Sequence, residues 1–268
     1  MLGVGEIFEK LWQSCAFKRE SLSIINQDLC SAQGFVLAQD IVATRPLPPF
    51  DNSAMDGYAV RIEDAGKEVK LAGRTLAGES NAGFVLTQGV CHKVMTGSPI
   101  PRGTQAVVPI EQVTHSNEHT ILLPADIKDS QNIRFAGEEI TLDSVILPKG
   151  KRLGALDLGL IASQGLSHIK VYKKPKIALF SSGDEVIEPG EVALDHQIYN
   201  TNATTLRALF AQYHHESCYK GILPDDRQSL REILCALGEY DIVVTTGGAS
   251  VGDADLLKAT LHELGAEF

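Results

Sequence analysis

The spacing of apolar residues along the chain changes character several times. Near the start, Phe8, Leu11, Trp12 and Cys15 recur at three- and four-residue intervals, which places them on one face of a helix. A second apolar stretch, Leu22 to Ile41, predicts another helix before Pro46, Pro48 and Pro49. Those prolines fix φ and stop any helix, so Arg45 to Phe50 reads as an extended connector. From Tyr58 to Leu123 the pattern becomes short β-prone runs, VKLAGRT, CHKVMTG, AVVPIEQVT and HTILL. Turn clusters such as Gly78-Glu79-Ser80-Asn81 and Pro99-Ile100-Pro101-Arg102-Gly103 separate them, as in a small, mostly β domain.

After FAGEEI comes a further strand candidate, SVILPKG, and then a helix-like run, ALDLGLIASQG. If that run packs back onto the N-terminal segment, the β domain is an insertion. Lys173-Lys174-Pro175-Lys176 reads as a linker. Beyond it, KIALFSS, CYKGIL and DIVVTT are buried-strand candidates. Helical segments follow each, with Leu206, Leu209, Phe210 and Tyr213 on one face, Asp226 to Leu237, and Leu256 to Leu264. Alternating strands and helices call for a parallel sheet with helices on its faces.

Composition narrows the function classes. A length of 268 residues with 44% hydrophobic and 22% charged residues fits a globular protein of two or more domains. The formal net charge of −10 argues against nucleic acid or an anionic membrane as partner. Five scattered cysteines, without a Cys-x-x-Cys pair, suit a reducing cytoplasm and give no zinc or disulfide signal. No basic-then-apolar leader and no bilayer-length apolar run is visible.

The three strands of the last region lead into Ser182-Gly183-Asp184-Glu185, Pro224-Asp225-Asp226-Arg227 and Gly247-Gly248-Ala249-Ser250-Val251-Gly252-Asp253-Ala254-Asp255. In an open parallel sheet such loops share the carboxyl edge, where ligands bind. Clustered carboxylates repel one another unless a divalent cation neutralises them, and magnesium combines carboxylate, water and phosphate oxygens. Gly247, Gly248 and Gly252 let backbone N–H groups approach an anion beside a helix N-terminus. Each loop alone also reads as an ordinary N-cap or βα turn. Together they point to metal-assisted chemistry on a phosphorylated small molecule. His214-His215, Ser181-Ser182-Gly183 and the basic segments Lys149–Arg152 and Lys170–Lys176 read as solvated or structural.

The ordered motifs PFDNSAMDGYAV, VMTGSPIPRGTQAVVPIEQV, FSSGDEVIEPG, ILPDDR and TTGGASVGDAD resemble the molybdopterin molybdenumtransferase family, which includes MoeA and the E domain of gephyrin. The resemblance covers nearly the whole chain. It implies an elongated multidomain protein of α/β plus mostly-β class. The expected parts are an N-terminal linker and dimerisation domain (1–45 plus 139–172), an inserted β-rich domain (46–138) and an incomplete α/β molybdopterin-binding domain (173–268).

The implied activity is metal-dependent insertion of molybdate into adenylylated molybdopterin with release of AMP. By resemblance, Asp56, Thr96, Glu185, Asp225 and Asp255 are the catalytic set, and Glu185, Asp225 and Asp255 surround Mg2+. Gly183, Asp184, Gly247, Gly248, Ser250 and Gly252 hold the cofactor end of the substrate. The implied partners are a second copy of the chain, whose β-rich domain supplies Asp56 and Thr96, and a molybdopterin adenylyltransferase. Two departures stand out. Gly137-Glu138-Glu139 replaces the family's Gly-Glu-Asp, and the chain ends before the family's lysine-bearing loops. The expectation is therefore impaired insertion by this chain. The alternative is a non-catalytic dimeric binding or scaffold protein of the same fold.

Overall fold

The computed structural model describes residues 3–16, 22–81, 83–247 and 256–266. The chain divides into two compact units, Met1–Gln39 with Pro148–Phe268, and Asp40–Leu147.

The first unit opens with helix α1, Val4–Ala16. The Glu6 carboxylate accepts the Gly3 N–H at 2.8 Å, which satisfies one orphan donor of the first turn. The helix between Leu22 and Ile41 does not form. That stretch makes strand β1 (Ile24–Asp28), a 3-10 turn at Leu29–Ser31 and strand β2 (Val36–Leu37). Tertiary pairing decides this. Ile24 to Asp28 lie antiparallel against His168 to Tyr172, and Gly34, at φ +76°, breaks any helical run.

The second unit follows. Strand β3 (Ile41–Val42) leads through the connector to β4 (Asn52–Ser53) and β5 (Gly57–Val60). Then come β6 (Glu68–Thr75), β7 (Val90–Val94), β8 (Ala106–Pro109), β9 (Thr114–Asn117) and β10 (Thr120–Leu122). These last six form one sheet in the order β8-β5-β7-β6-β10-β9. Every pairing in it is antiparallel except β6 with β7. Strands β11 (Ile133–Arg134) and β12 (Val145–Leu147) pair with β4 and β3.

The period-two alternation of a strand explains the core of this unit. Tyr58, Val60, Ala106 and Val108 join Val69, Cys91 and Ile121 in one cluster. The residues between them, Ala59 and Val107, pack with Val94 in a second cluster. Gly57 has to be glycine, because a Cβ there would lie 2.3 Å from the Val108 carbonyl oxygen.

The chain then returns to the first unit. Helix α2 (Ala155–Ser163) contacts the Leu29–Ser31 turn, and β13 (His168–Tyr172) is the central strand of the sheet β1-β13-β2. Past the Lys-Lys-Pro-Lys segment come β14 (Ile177–Ser182), β15 (Val186–Ile187), β16 (Ile198–Tyr199) and α3 (Thr201–Gln212). They are followed by β17 (Ser217–Leu223), α4 (Arg227–Cys235), β18 (Ile242–Thr246) and α5 (Leu256–Glu263). The sheet is parallel, in the order β17-β14-β18, as the strand–helix alternation requires. Leu230 of α4 and Leu257 of α5 pack with Ala178, Phe180 and Leu223.

Candidate functional site

The parallel register fixes where the acidic loops begin. Ser182 of β14 lies opposite Leu223 of β17, and Ser181 lies opposite Thr246 of β18. Adjacent strands are about 4.8 Å apart. The segments Gly183–Glu185 and Pro224–Asp226 and the residue Gly247 therefore leave one carboxyl edge side by side. The chain steps from β17 across β14 to β18, and this reversal of direction is where open α/β sheets leave a crevice.

Two glycines permit close approach at that edge. Gly183 has φ +121°, and a Cβ there would lie 2.5 Å from a Glu185 carboxylate oxygen. Gly247 has φ +91°, and its Cβ would lie 2.6 Å from Ser182 Oγ. The Ser182 hydroxyl donates to the Thr246 carbonyl at 3.1 Å, which ties the ends of β14 and β18 together. Asp184, Glu185 and Asp225 are exposed. The neighbouring Asp226 plays a structural part, since its Oδ1 accepts the Ser229 N–H at 3.0 Å and caps α4. The hydrogen bonds from Ser229 hold the Asp226 carboxyl below its ordinary range.

Gly248, Ser250, Gly252 and Asp255 lie outside the described residues. Among the described residues, no three His, Cys, Asp or Glu side chains gather as a metal-binding group. The structure thus brings the Glu185 and Asp225 loops to one edge.

In the β-rich unit, Asp56 and Thr96 meet directly. Asp56 Oδ1 accepts the Thr96 N–H at 2.8 Å and the Thr96 hydroxyl at 2.7 Å. Those two bonds hold the Asp56 carboxyl below its ordinary range. The surrounding loop is laced to two others. Gly97 donates to the Ser53 carbonyl at 2.8 Å, Ala54 to the Asn132 carbonyl at 2.9 Å, and Ala136 to the Asp51 carboxylate at 2.8 Å. Asp51 therefore shapes the turn.

A residue that sequence reasoning passes over is Arg134, opposite Asn52 in the β4–β11 register. Its Nε donates to Glu138 at 2.9 Å, and its guanidinium also contacts Glu139. The glutamate that departs from the family pattern is thus one of two carboxylates on this cation. These partners lie only four and five residues on, a spacing readable in the sequence, whereas the pairing with Asn52 is not.

Other weighed residues fall into structural roles. Ser181 donates to Asn200 Oδ1 at 2.9 Å. Lys174 is not a solvated linker charge: it is half-buried, with Nζ 4.1 Å from the Phe35 ring centroid, and burial pulls its pKa down. Burial likewise lowers the pKa of half-buried His215, assisted by Lys174, Arg152 and His214, so that residue is not a solvated histidine.

Residues 4–165 match the model of the MoeA N-terminal region, domains I and II. Residues 178–268 match that of a probable molybdopterin binding domain.

The chain belongs to the MoeA family.

It is 39% identical over 270 residues to a molybdopterin molybdenumtransferase of Haemophilus influenzae, covering 99% of this chain and 65% of that protein. A molybdopterin molybdenumtransferase of Staphylococcus epidermidis is 34% identical, over 91% of this chain and 60% of the relative. A crystal structure of a molybdopterin biosynthesis MoeA protein from Pyrococcus horikosii superposes with a TM-score of 0.75 at 32% identity, covering 91% of this chain and 62% of that one. The MoeA-family chain described here spans less than two thirds of the length of these relatives.

Proposed function

We propose that this MoeA-family chain acts in molybdenum cofactor biosynthesis, in the insertion of molybdate into adenylylated molybdopterin with release of AMP. The observation that carries the reading is the convergence of Gly183–Glu185, Pro224–Asp226 and Gly247 on one carboxyl edge of a parallel sheet. This convergence lies in the region that matches a molybdopterin binding domain.

In this reading the Glu185 and Asp225 carboxylates, joined by Asp255, hold Mg2+. Exposed carboxylate oxygens are the hard donors that ion takes. When bound, the ion offsets phosphate charge and polarises a phosphoryl oxygen. Gly183, Asp184, Gly247, Gly248, Ser250 and Gly252 seat the nucleotide end of the substrate. Asp56, ionised at neutral pH and held by Thr96, offers a fixed anion from the β-rich unit. It orients donors on the substrate and is no source of protons there.

A homodimer, with Asp56 and Thr96 serving the neighbouring chain's cleft, completes the proposal. The apolar face of α1 supports it: Phe8 is 69%, Leu11 56% and Trp12 67% exposed. A molybdopterin adenylyltransferase is the proposed supplier of substrate, and the cytoplasm the proposed compartment. No described helix is long and apolar enough to cross a membrane.

Reconstitution tests the reading. The chain is incubated with adenylylated molybdopterin, molybdate and magnesium, and AMP release is followed with and without chelator. Magnesium-dependent release is expected, and release at full turnover would count against the impaired insertion expected from the sequence. Failure to bind or consume the substrate at any magnesium concentration would overturn the assignment.

A further inference from the structure

We propose that Tyr219, Asn200 and Glu188 are positioning residues that set the geometry of the acidic loop Gly183–Glu185. The proposal rests on the reading of that loop as a magnesium and nucleotide site.

The three side chains come from different elements. Tyr219 lies mid-strand in β17, Asn200 caps α3 directly after β16, and Glu188 follows β15. The Tyr219 hydroxyl donates to Glu188 Oε1 at 2.5 Å. Asn200 Nδ2 donates to the Tyr219 oxygen at 2.7 Å and to Glu188 Oε1 at 3.2 Å. On its other side, Asn200 Oδ1 accepts the Ser181 hydroxyl at 2.9 Å and the Ala203 N–H at 3.2 Å. Thr246 Oγ1 in turn donates to Ser181 Oγ at 3.3 Å. Asn200 is 3% exposed and Ser181 1%. Both donors and both acceptor sites of the buried amide are therefore used, as a buried polar network must be to stabilise a fold.

This network joins the strands from which all three site loops leave. It reaches Thr246 at the end of β18, Ser181 near the end of β14 and Tyr219 in β17. Around it, the acidic loop is closed by short backbone bonds. Val186 N–H reaches the Gly183 carbonyl at 3.0 Å, Ile198 N–H the Glu185 carbonyl at 2.8 Å, and Asn200 N–H the Ile187 carbonyl at 2.9 Å. Glu185 is thus held at both ends, by β14 before it and by the β15–β16 pair after it. Glu188 is the acid of this region that faces inward, and it restrains the loop instead of facing solvent with Glu185. Burial, followed by the bond to Glu188, raises the Tyr219 pKa and keeps the phenol a donor.

The test compares Tyr219→Phe, Glu188→Ala and Glu188→Gln in the full chain. Three quantities are read: melting temperature, amide hydrogen exchange at Val186 and Ile198, and the magnesium concentration that half-saturates AMP release. Losing one such bond is expected to speed exchange and raise the half-saturating magnesium about tenfold in Tyr219→Phe and Glu188→Ala. Turnover at saturating magnesium should stay within about twofold, and melting within a few degrees. Glu188→Gln keeps an acceptor for the phenol and should restore both values. Folded Tyr219→Phe and Glu188→Ala with unchanged exchange and unchanged magnesium dependence overturn the proposal. If Tyr219→Phe does not fold, the two Glu188 variants carry the same comparison. If the parent chain shows no magnesium dependence, the functional reading fails separately and exchange alone decides the positioning role.

Discussion

The acids of the two units are held in opposite ways. Asp56, in the β-rich unit, has its carboxylate fixed by two hydrogen bonds from Thr96. Glu185 and Asp225, at the edge of the parallel sheet, are exposed, and the Tyr219–Asn200–Glu188 network joins the strands from which their loops leave. The cores differ in the same sense. Strands β5 and β8 are buried at every position, whereas β18 leaves Ile242 42% and Val243 40% exposed. The β-rich unit thus presents a finished anion on a closed core. The α/β edge presents acids still open to a cation on a sheet with one lightly covered strand.

The largest effects test the cores. Ile121→Ala in the β-rich unit and Leu179→Ala in β14, both buried to within 1% exposure, should each cost about 2–5 kcal/mol in denaturant unfolding. Ile242→Ala should cost less than about 1 kcal/mol, because its side chain is already partly in water. A cost at Ile242 equal to that at Leu179 would break the contrast and show that β18 is covered in solution.

A second comparison separates the acids themselves. If Asp56 orients the substrate as proposed, Asp56→Asn should reduce AMP release about a hundredfold and leave the half-saturating magnesium concentration unchanged. If Glu185 is a metal ligand as proposed, Glu185→Gln should raise that magnesium concentration about tenfold or more. Equal shifts in magnesium dependence for the two variants would sink the division of labour.

How much of this is legible in the sequence depends on the range of the interactions. The strand–helix alternation beyond Lys176 and the edge shared by its loops follow from local patterning, and the parallel β17-β14-β18 sheet matches them. The Asp56 loop stands out through its motif. The pair with Thr96 spans 40 residues, and it comes from the resemblance and not from spacing. The stretch from Leu22 to Ile41 misleads because its apolar spacing also suits a helix, while its partners in β13 lie 134 to 148 residues away. The Tyr219–Asn200–Glu188 network is invisible for the same reason, since its contacts join elements that carry no common motif. Arg134 differs, because its partners Glu138 and Glu139 lie only four and five residues on.

The smallest effect concerns neighbours that look alike in sequence, Asp225 and Asp226. Asp226 caps α4 through Ser229, so Asp226→Ala should lower the melting temperature by about 2–4 °C at pH 7. Asp225→Ala should leave melting unchanged and weaken magnesium dependence instead. The sign of the pH effect follows from the direction of the shift. The folded Asp226 carboxyl titrates below the unfolded value of 3.8, so its stabilisation is complete above that pH and fades as pH falls through the folded value. The deficit of Asp226→Ala should therefore be constant from neutral pH down to about pH 5 and shrink below 3.8. Thermal scans of the parent and the two variants from pH 3 to pH 7 measure this directly. The absence of a deficit at every pH in that range would mean that Asp226 is no more a cap than its neighbour.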